Sequence, residues 1–351
     1  MNLKFFFRNI NQQIFTSTFK FSCEGGKVNP PKYVLWDSTR RCNLNCEHCG
    51  AKDETYQSEL STKDLKKFID DIARYRVEFF MATGGEPFLR NDLFEVFAHA
   101  KERKLHTGVA TNGFFINEQN VSDVDRFFES IMISIDGTRE VHNKIRRNPQ
   151  AFDKAMQALS LLKKKSRAYL TASTTITKSN VGDLQLLAKK IAELKPDQWR
   201  ITSIMPIGNA AVDKALALDQ KDFIFVLDFI KKNRKQFNIQ VGENLGYLGR
   251  YEREIKDGPF FCPVGYLTCC LGVEGNIRGC PEQPDNDFFH EGNILKDTFE
   301  NIWSKGFRKY REQDLIKNET CNVCKDKKMC AGGCWVMKLN SLNCSKMIYK
   351  L

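Results

Sequence analysis

Cys42-Asn43-Leu44-Asn45-Cys46-Glu47-His48-Cys49 is the stretch on which the reading of the whole chain turns. Its three cysteines follow a Cys-x3-Cys-x2-Cys spacing and come soon after a short apolar run, Tyr33–Asp37. Three thiolates this close in sequence can each take one corner of an iron–sulfur cube and leave the fourth iron without a protein ligand. An open metal position is what metal-assisted catalysis needs. The same residues would also make a structural zinc site completed by His48. The flanking Arg40, Arg41 and Glu47 do not separate the two readings.

A second motif, Thr83-Gly84-Gly85-Glu86-Pro87, closes the next apolar run at 79–82. Paired glycines let a backbone approach a ligand closely, and a carboxylate at a strand end accepts hydrogen bonds from an ammonium group. Alone, the motif is a glycine turn. Further apolar runs stand at 107–110, 131–135, 168–175 and 199–205, separated by segments of helical period. Leu65, Phe68, Ile69 and Ile72 fall at i, i+3, i+4 and i+7, behind Ser61 and Asp64 in a capping-box arrangement. Leu93, Val96, Phe97 and Ala100 repeat that spacing, as do Phe152, Ala155, Met156 and Leu159, and Leu184, Leu187, Ala188 and Ile191. Six strand–helix alternations predict an α/β fold, a parallel sheet with helices outside, open or curled into a barrel. Such folds build their sites at the carboxyl ends of the strands, where both motifs fall.

With these two motifs in place, the chain resembles the radical S-adenosylmethionine (radical SAM) superfamily. Ala110-Thr111-Asn112-Gly113, Ser134-Ile135-Asp136-Gly137 and Met205-Pro206-Ile207-Gly208-Asn209-Ala210 extend the likeness, which spans roughly residues 32–210. The position before the last cysteine, often aromatic in that family, is His48. The resemblance implies a partial (β/α)6 barrel. It implies a [4Fe–4S] cluster on Cys42, Cys46 and Cys49, whose open iron takes the amino and carboxylate groups of S-adenosylmethionine (SAM). It further implies that Glu86, with the backbone of Gly84 and Gly85, holds the methionine ammonium. Ser134 and Asp136, two apart on a strand, would bond the ribose hydroxyls. Arg146 would pair with the methionine carboxylate through its fork; the alternative for it is a surface arginine.

From Cys262 the chain turns rich in Gly, Cys and Pro, the composition of a small metal-stapled unit. Cys262, Cys269, Cys270 and Gly275-x4-Cys280 precede Cys321-x2-Cys324-x5-Cys330-x3-Cys334 and Cys344. This set resembles the SPASM domain, the auxiliary-cluster module of many radical SAM peptide-modifying enzymes. The resemblance implies two further [4Fe–4S] clusters with crossed ligation. Cys262, Cys269 (or Cys270), Cys280 and Cys334 would hold one, and Cys321, Cys324, Cys330 and Cys344 the other. Neighbours in a strand face opposite ways, so one of Cys269 and Cys270 ligates. The other is core filler or a thiol facing substrate. Structural zinc is the rival reading of the whole set.

The remaining composition sets bounds. With 42% hydrophobic and 28% charged residues the chain is globular rather than disordered. No apolar run approaches the roughly 18 residues of a membrane span. The net charge of +11 suits a lysine-rich surface or an acidic partner. No helix-turn-helix, zinc-finger or RNA-reading signature is present, so nucleic acid is not an expected partner. No cleavage site follows the short apolar patch near Met1, so reduced thiols and a cytoplasmic location are expected.

The expected organisation is an arm (1–31), a radical SAM core (32–210), a helical linker (211–260) and a SPASM domain (261–351). The expected cofactors are three [4Fe–4S] clusters and SAM. The expected activity is hydrogen abstraction from a ribosomally made peptide, giving a thioether, a carbon–carbon or ether crosslink, an epimerised carbon or an oxidised side chain. Maturation of a protein side chain, as in sulfatases, oxidation of a small molecule, and a structural zinc protein are the alternatives. The expected partners are the precursor peptide, a low-potential electron donor such as flavodoxin or ferredoxin, and a separate leader-peptide-binding protein.

Overall fold

Val34 and Trp36 are fully buried while Tyr33 and Leu35 are half-buried, the alternation of a strand with one covered face. This strand, β1 (Tyr33–Asp37), is the hinge of the architecture. The computed structural model describes residues 28–51, 58–258, 260–312, 319–330, 332–339, 344 and 349. Nearly all of the 1–31 arm, and Cys23 within it, lies outside the described residues.

Beyond β1 come β2 (Phe79–Thr83), β3 (His106–Thr111), β4 (Ser130–Ser134), β5 (Tyr169–Ile176) and β6 (Gln198–Ser203), each parallel to the one before. All six expected strands form. The connecting helices are α1 (Thr62–Arg74), α2 (Leu93–Glu102), α3 (Val121–Phe127), α4 (Arg139–Arg146), α5 (Ala151–Lys165) and α6 (Leu184–Leu194). Ser61 caps α1 by accepting from the Asp64 amide at 3.2 Å, as the spacing predicts. The apolar stripes of these helices join Val34, Trp36, Phe80, Val109, Ile131, Ile133 and Trp199 in one core. Each such buried side chain contributes about 1.5–3 kcal/mol.

Several elements are additions to the sequence reading, α3 among them. α4 buries His142, Ile145 and Arg146, so polar residues carry most of its inward face and no apolar stripe announces it. The 211–260 segment contains the expected helix, α7 (Gln220–Asn233), and also a seventh parallel strand, β7 (Ile239–Val241), on the far side of β6. Three half-buried residues give no alternation to read.

The sheet does not end at β1. β8 (Thr268–Leu271) runs parallel along its other edge, and β9 (Asn276–Arg278) and β10 (Gly292–Asn293) continue antiparallel. The strand order is therefore β10-β9-β8-β1-β2-β3-β4-β5-β6-β7. α8 (Phe299–Lys305) then packs on α1, with the Phe299 amide donating to Asp71 at 3.1 Å and its ring edge-on to Phe68. Away from the helices, Phe79 and Tyr169 with Tyr33 and Met81 form a small apolar plug near the start of the strands. Toward the strand ends that face turns polar, through Ser134, Ser173 and Thr175. The open polar end is where the motifs gather. No described helix is long and apolar enough to cross a membrane.

Candidate active site at the carboxyl edge of the sheet

The loop carrying Cys42, Cys46 and Cys49 leaves β1 and is clamped by the loops after three other strands. After β2, the Gly85 amide donates to the Thr39 carbonyl at 2.7 Å and the Glu86 amide to the Arg41 carbonyl at 2.8 Å. A Cβ on Gly85 would stand 2.2 Å from the Arg41 oxygen, and one on Gly84, where φ is +121°, would stand 2.7 Å from the Thr39 oxygen. Only glycine allows this approach. After β3, the Asn112 side chain donates to Asn43 at 2.8 Å. After β6, Asn209 bonds the Cys49 carbonyl through its amide and the Cys46 carbonyl through its side chain. A Cβ on Gly208 would meet the Cys49 oxygen at 2.4 Å. The motifs quoted from the sequence thus meet as one backbone cradle.

Glu86 is fully buried and accepts from Phe88, Thr111 and Asn112. A carboxylate offers about four acceptor positions, so room for about one further donor remains. Burial lifts this carboxyl to about 7 in spite of those bonds. Asp136 lies just past β4, buried, and accepts from the Thr175 amide at 2.9 Å and from Arg146 Nε at 2.7 Å. Arg146 is buried rather than on the surface, and it also donates to Cys46 Sγ at 3.7 Å. Ser134, at the end of β4, is half-buried. Two histidines complete this wall: His142 Nδ1 accepts from the Asp136 amide, and His48 lies 3.8 Å from the Asp136 carboxylate. Burial drives both toward the neutral form, His48 to about 4 and His142 to about 3.

The three thiols of the loop face one another closely enough for their charges to interact. Although Cys42 is an exposed residue, partial desolvation of its thiol pushes it up to about 11, with the negative charge of Cys46, Glu86 and Cys49 adding to it. Thiolates here need positive charge among them, which an iron cube supplies. In kind, three thiolates suit that group, although among the described residues no three such side chains converge closely enough to hold a single metal ion.

The C-terminal thiols fall into two sets. Cys262, Cys280 and Cys334 act on one another, and burial pushes Cys262 up to about 12. Cys330 instead faces Cys344 and Cys321, with Lys338 donating to Cys321 Sγ at 3.1 Å. Cys330 and Cys334, four positions apart across the Gly332-Gly333 turn, therefore fall in different groups. The Cys324 amide bonds the Cys321 carbonyl, placing Cys324 beside the second set. Cys269 pairs in register with Val34 and joins the main core, against which Cys262 and Cys280 also pack. Cys270 pairs with Leu35 and faces Arg278 and Asp37 instead.

The family described as "Radical SAM superfamily" matches residues 36–191, and that described as "Iron-sulfur cluster-binding domain" matches residues 262–325. Residues 36–191 thus form a radical SAM superfamily domain. Among its relatives, an AdoMet-dependent heme synthase of Methanosarcina barkeri is 27% identical over 323 residues, 87% of this chain and 91% of that protein. The mycofactocin maturase MftC of Mycobacterium tuberculosis is 29% identical over 321 residues, 89% of this chain and 80% of that protein. Streptococcus suis SuiB, crystallised with S-adenosylmethionine, shares the fold with a TM-score of 0.73 at 16% identity, over 96% of this chain and 80% of that one. A second SuiB structure holds the precursor peptide SuiA.

This radical SAM chain is thus an enzyme, and its two domains are of the kind that bind iron–sulfur clusters and SAM. Its site also contains residues that sequence reasoning passed over. Glu282 Oε2 lies 3.4 Å from where a Cβ on Gly50 would stand, and its charge bears on Cys49, Cys280 and Cys334. It thus acts on one thiol of the Cys42–Cys49 loop and on two of the C-terminal thiols. Its one sequence signal is proximity to Cys280. Arg40, Asp37, Arg278 and Asp285 form a buried ionic group beside the same loop, with Arg40 3.1 Å from Asp37 and Arg278 2.9 Å from Asp285.

Proposed function

We propose that this enzyme cleaves SAM reductively and uses the resulting radical to take a hydrogen atom from a carbon of a ribosomally made peptide, installing a post-translational modification. The observation that carries the reading is the three-thiol loop at the strand ends, clamped by the backbone of Gly85 and Glu86 and by Asn112 and Asn209. The bound cluster and SAM would supply one-electron cleavage of the sulfonium. The chain's own residues orient the reactants. Cys42, Cys46 and Cys49 hold the first cluster; Glu86 with Gly84 and Gly85 receives the methionine ammonium; Ser134 and Asp136 receive the ribose; Arg146 receives the carboxylate while neutralising Cys46.

Two auxiliary clusters complete the proposal, giving three in all. Cys262, Cys269, Cys280 and Cys334 hold one, with Cys269 preferred to Cys270 because Cys270 faces the charged Arg278 and Asp37. Cys321, Cys324, Cys330 and Cys344 hold the other. The chain then divides into an arm (1–31), a radical SAM core (32–210), a linker (211–260) and a SPASM domain (261–351). It works in the cytoplasm with a flavodoxin or ferredoxin and a separate leader-peptide-binding protein. The relative named as a maturase, and the precursor peptide bound to SuiB, support a peptide substrate. A heme synthase of similar identity favours a second reading, oxidation of a tetrapyrrole.

The test is anaerobic turnover with SAM and reductant, offered either the peptide encoded beside the gene or iron coproporphyrin III, and read by mass spectrometry. Loss of hydrogen mass from the peptide, with 5′-deoxyadenosine formed, is the expected outcome. Consumption of the porphyrin with the peptide untouched moves the enzyme to the second reading. Replacing Cys42, Cys46 and Cys49 together by Ala should abolish 5′-deoxyadenosine formation, whereas Cys324→Ala should retain it and lose product. The parent should carry about twelve iron and twelve sulfide.

A further inference from the structure

The segment holding the last set of thiols presents an unusual surface. Val323 is 89% exposed and Met329 42% exposed. Each is the chain neighbour of a thiol, Val323 before Cys324 and Met329 before Cys330. Isolated apolar side chains on a surface need no explanation, but these two flank the same sulfur set and share their short segment with a row of lysines. Lys325 follows Cys324; Lys327 and Lys328 open the helical turn Lys327–Cys330. Lys325 and Lys328 are exposed and make no ion pair among the described residues. Lys327 donates to Asn322 at 3.2 Å, so its charge also stays uncompensated by an acid there. Asp326 and Glu319 are the acids of the same segment, and the lysines, with Lys338 behind them, outnumber them.

The loop of Cys42 differs. Its described arginines are engaged: Arg40 with Asp37 and Asp285, and Arg41 with Glu59. Among the described residues, a negatively charged protein approaching the chain meets lysines without an ion pair around Cys324, whereas the arginines beside Cys42 are paired. A small apolar centre with a charged rim suits an encounter that must form quickly and release quickly.

We infer that Val323 and Met329, with Lys325, Lys327 and Lys328 on the same short segment, form the docking face for an acidic one-electron carrier protein. The inference rests on the proposed function, because it takes Cys321, Cys324, Cys330 and Cys344 as ligands of an iron–sulfur cluster. One electron crosses the face at each encounter. The carrier loses or gains it as the cluster gains or loses it, and no bond or proton moves. The rim steers the carrier, so affinity falls as salt screens it.

The experiment uses the full-length, cluster-loaded protein under anaerobic conditions and an acidic flavodoxin as probe. Calorimetry gives the Kd at low and raised salt, and stopped-flow absorbance of the flavin gives the electron-transfer rate. The pair Lys325→Glu and Lys328→Glu is compared with Lys164→Glu and Lys165→Glu, exposed lysines at the end of α5. The first pair should weaken binding at least about tenfold and slow electron transfer alike, and the second should do neither. Iron and sulfide should match the parent in both. Equal affinity in the two pairs, whether both weak or both intact, overturns the docking face. Should the Glu pair lose iron, the milder Lys325→Gln and Lys328→Gln pair is judged by the same comparison. No peptide is present, so failure here leaves the peptide reading standing, and an unmodified peptide beside intact docking sinks that reading alone.

Discussion

At position 85 the absence of one carbon lets the loop after β2 lie against the cysteine loop. The atom in the way of a larger residue is the Arg41 carbonyl oxygen, 2.2 Å from where a Cβ would stand, and backbone cannot swing aside. Gly85→Ala should therefore lose iron during purification and lose about 1–3 kcal/mol of stability, as overpacked sites do. Gly182→Ala, with nothing within 4 Å of its Cβ, should stay within about 0.5 kcal/mol of the parent. Thermal melts and iron assays compare them, and equal midpoints would remove close approach as the reason for the glycine. Glu86 gives a second residue-scale expectation. Burial raises its folded pKa from 4.5 to about 7. The folded chain then binds more protons than the unfolded chain between those values, so this group makes cofactor-free protein less stable as pH rises through that window. Glu86→Gln removes that contribution. Urea midpoints across the window should fall less steeply in the variant, and parallel slopes would discount the linkage.

Among the elements, β1 and β9 are joined by charges that sequence alone does not pair. Asp37 and Arg278 bond in the buried interior although 241 positions separate them, and Arg40 and Asp285 share the contact. Removing one member of a buried pair leaves its partner's charge uncompensated, at a cost of about 3–5 kcal/mol. Arg278→Met should show that loss in urea unfolding, and adding Asp37→Asn should recover part of it. A double variant no better than the single would mean that Asp37 is not the partner that matters. The six strands were legible because each falls in an apolar run, and all but β5 end in a loop of distinctive residues. α4 was not, since His142 and Arg146 carry its buried face, and β7 was too short to alternate. The motif loops were legible as chemistry, yet their mutual clamping was not: the contacts from Asn112 to Asn43 and from Asn209 to Cys46 span 69 and 163 positions. Strand period sets adjacent Cys269 and Cys270 on opposite faces, and the pairing of β8 with β1 places Cys269 beside Val34 and Cys270 beside Leu35.

For the molecule as a whole, that pairing has a consequence for stability. The Cys-rich segment supplies β8, which hydrogen-bonds along the edge of β1 opposite β2 and lies over a strand whose Val34 and Trp36 are fully buried. A chain ending at Gly258 would leave β1 an uncovered apolar edge, a template for pairing with another copy. It would also strip Phe299 from Phe68 on α1. Such a truncated chain should partition into the pellet or elute as aggregates in size-exclusion chromatography, although it retains all seven parallel strands from β1 to β7. The intact chain should unfold as one unit for the same reason. Tryptophan fluorescence, drawn from Trp36 and Trp199 in the parallel strands and from Trp303 and Trp335 beyond them, should fall in the same denaturant range as the visible absorbance of the clusters. A soluble, monomeric truncation, or two well-separated transitions in the intact chain, would show that the parallel strands hold together without β8.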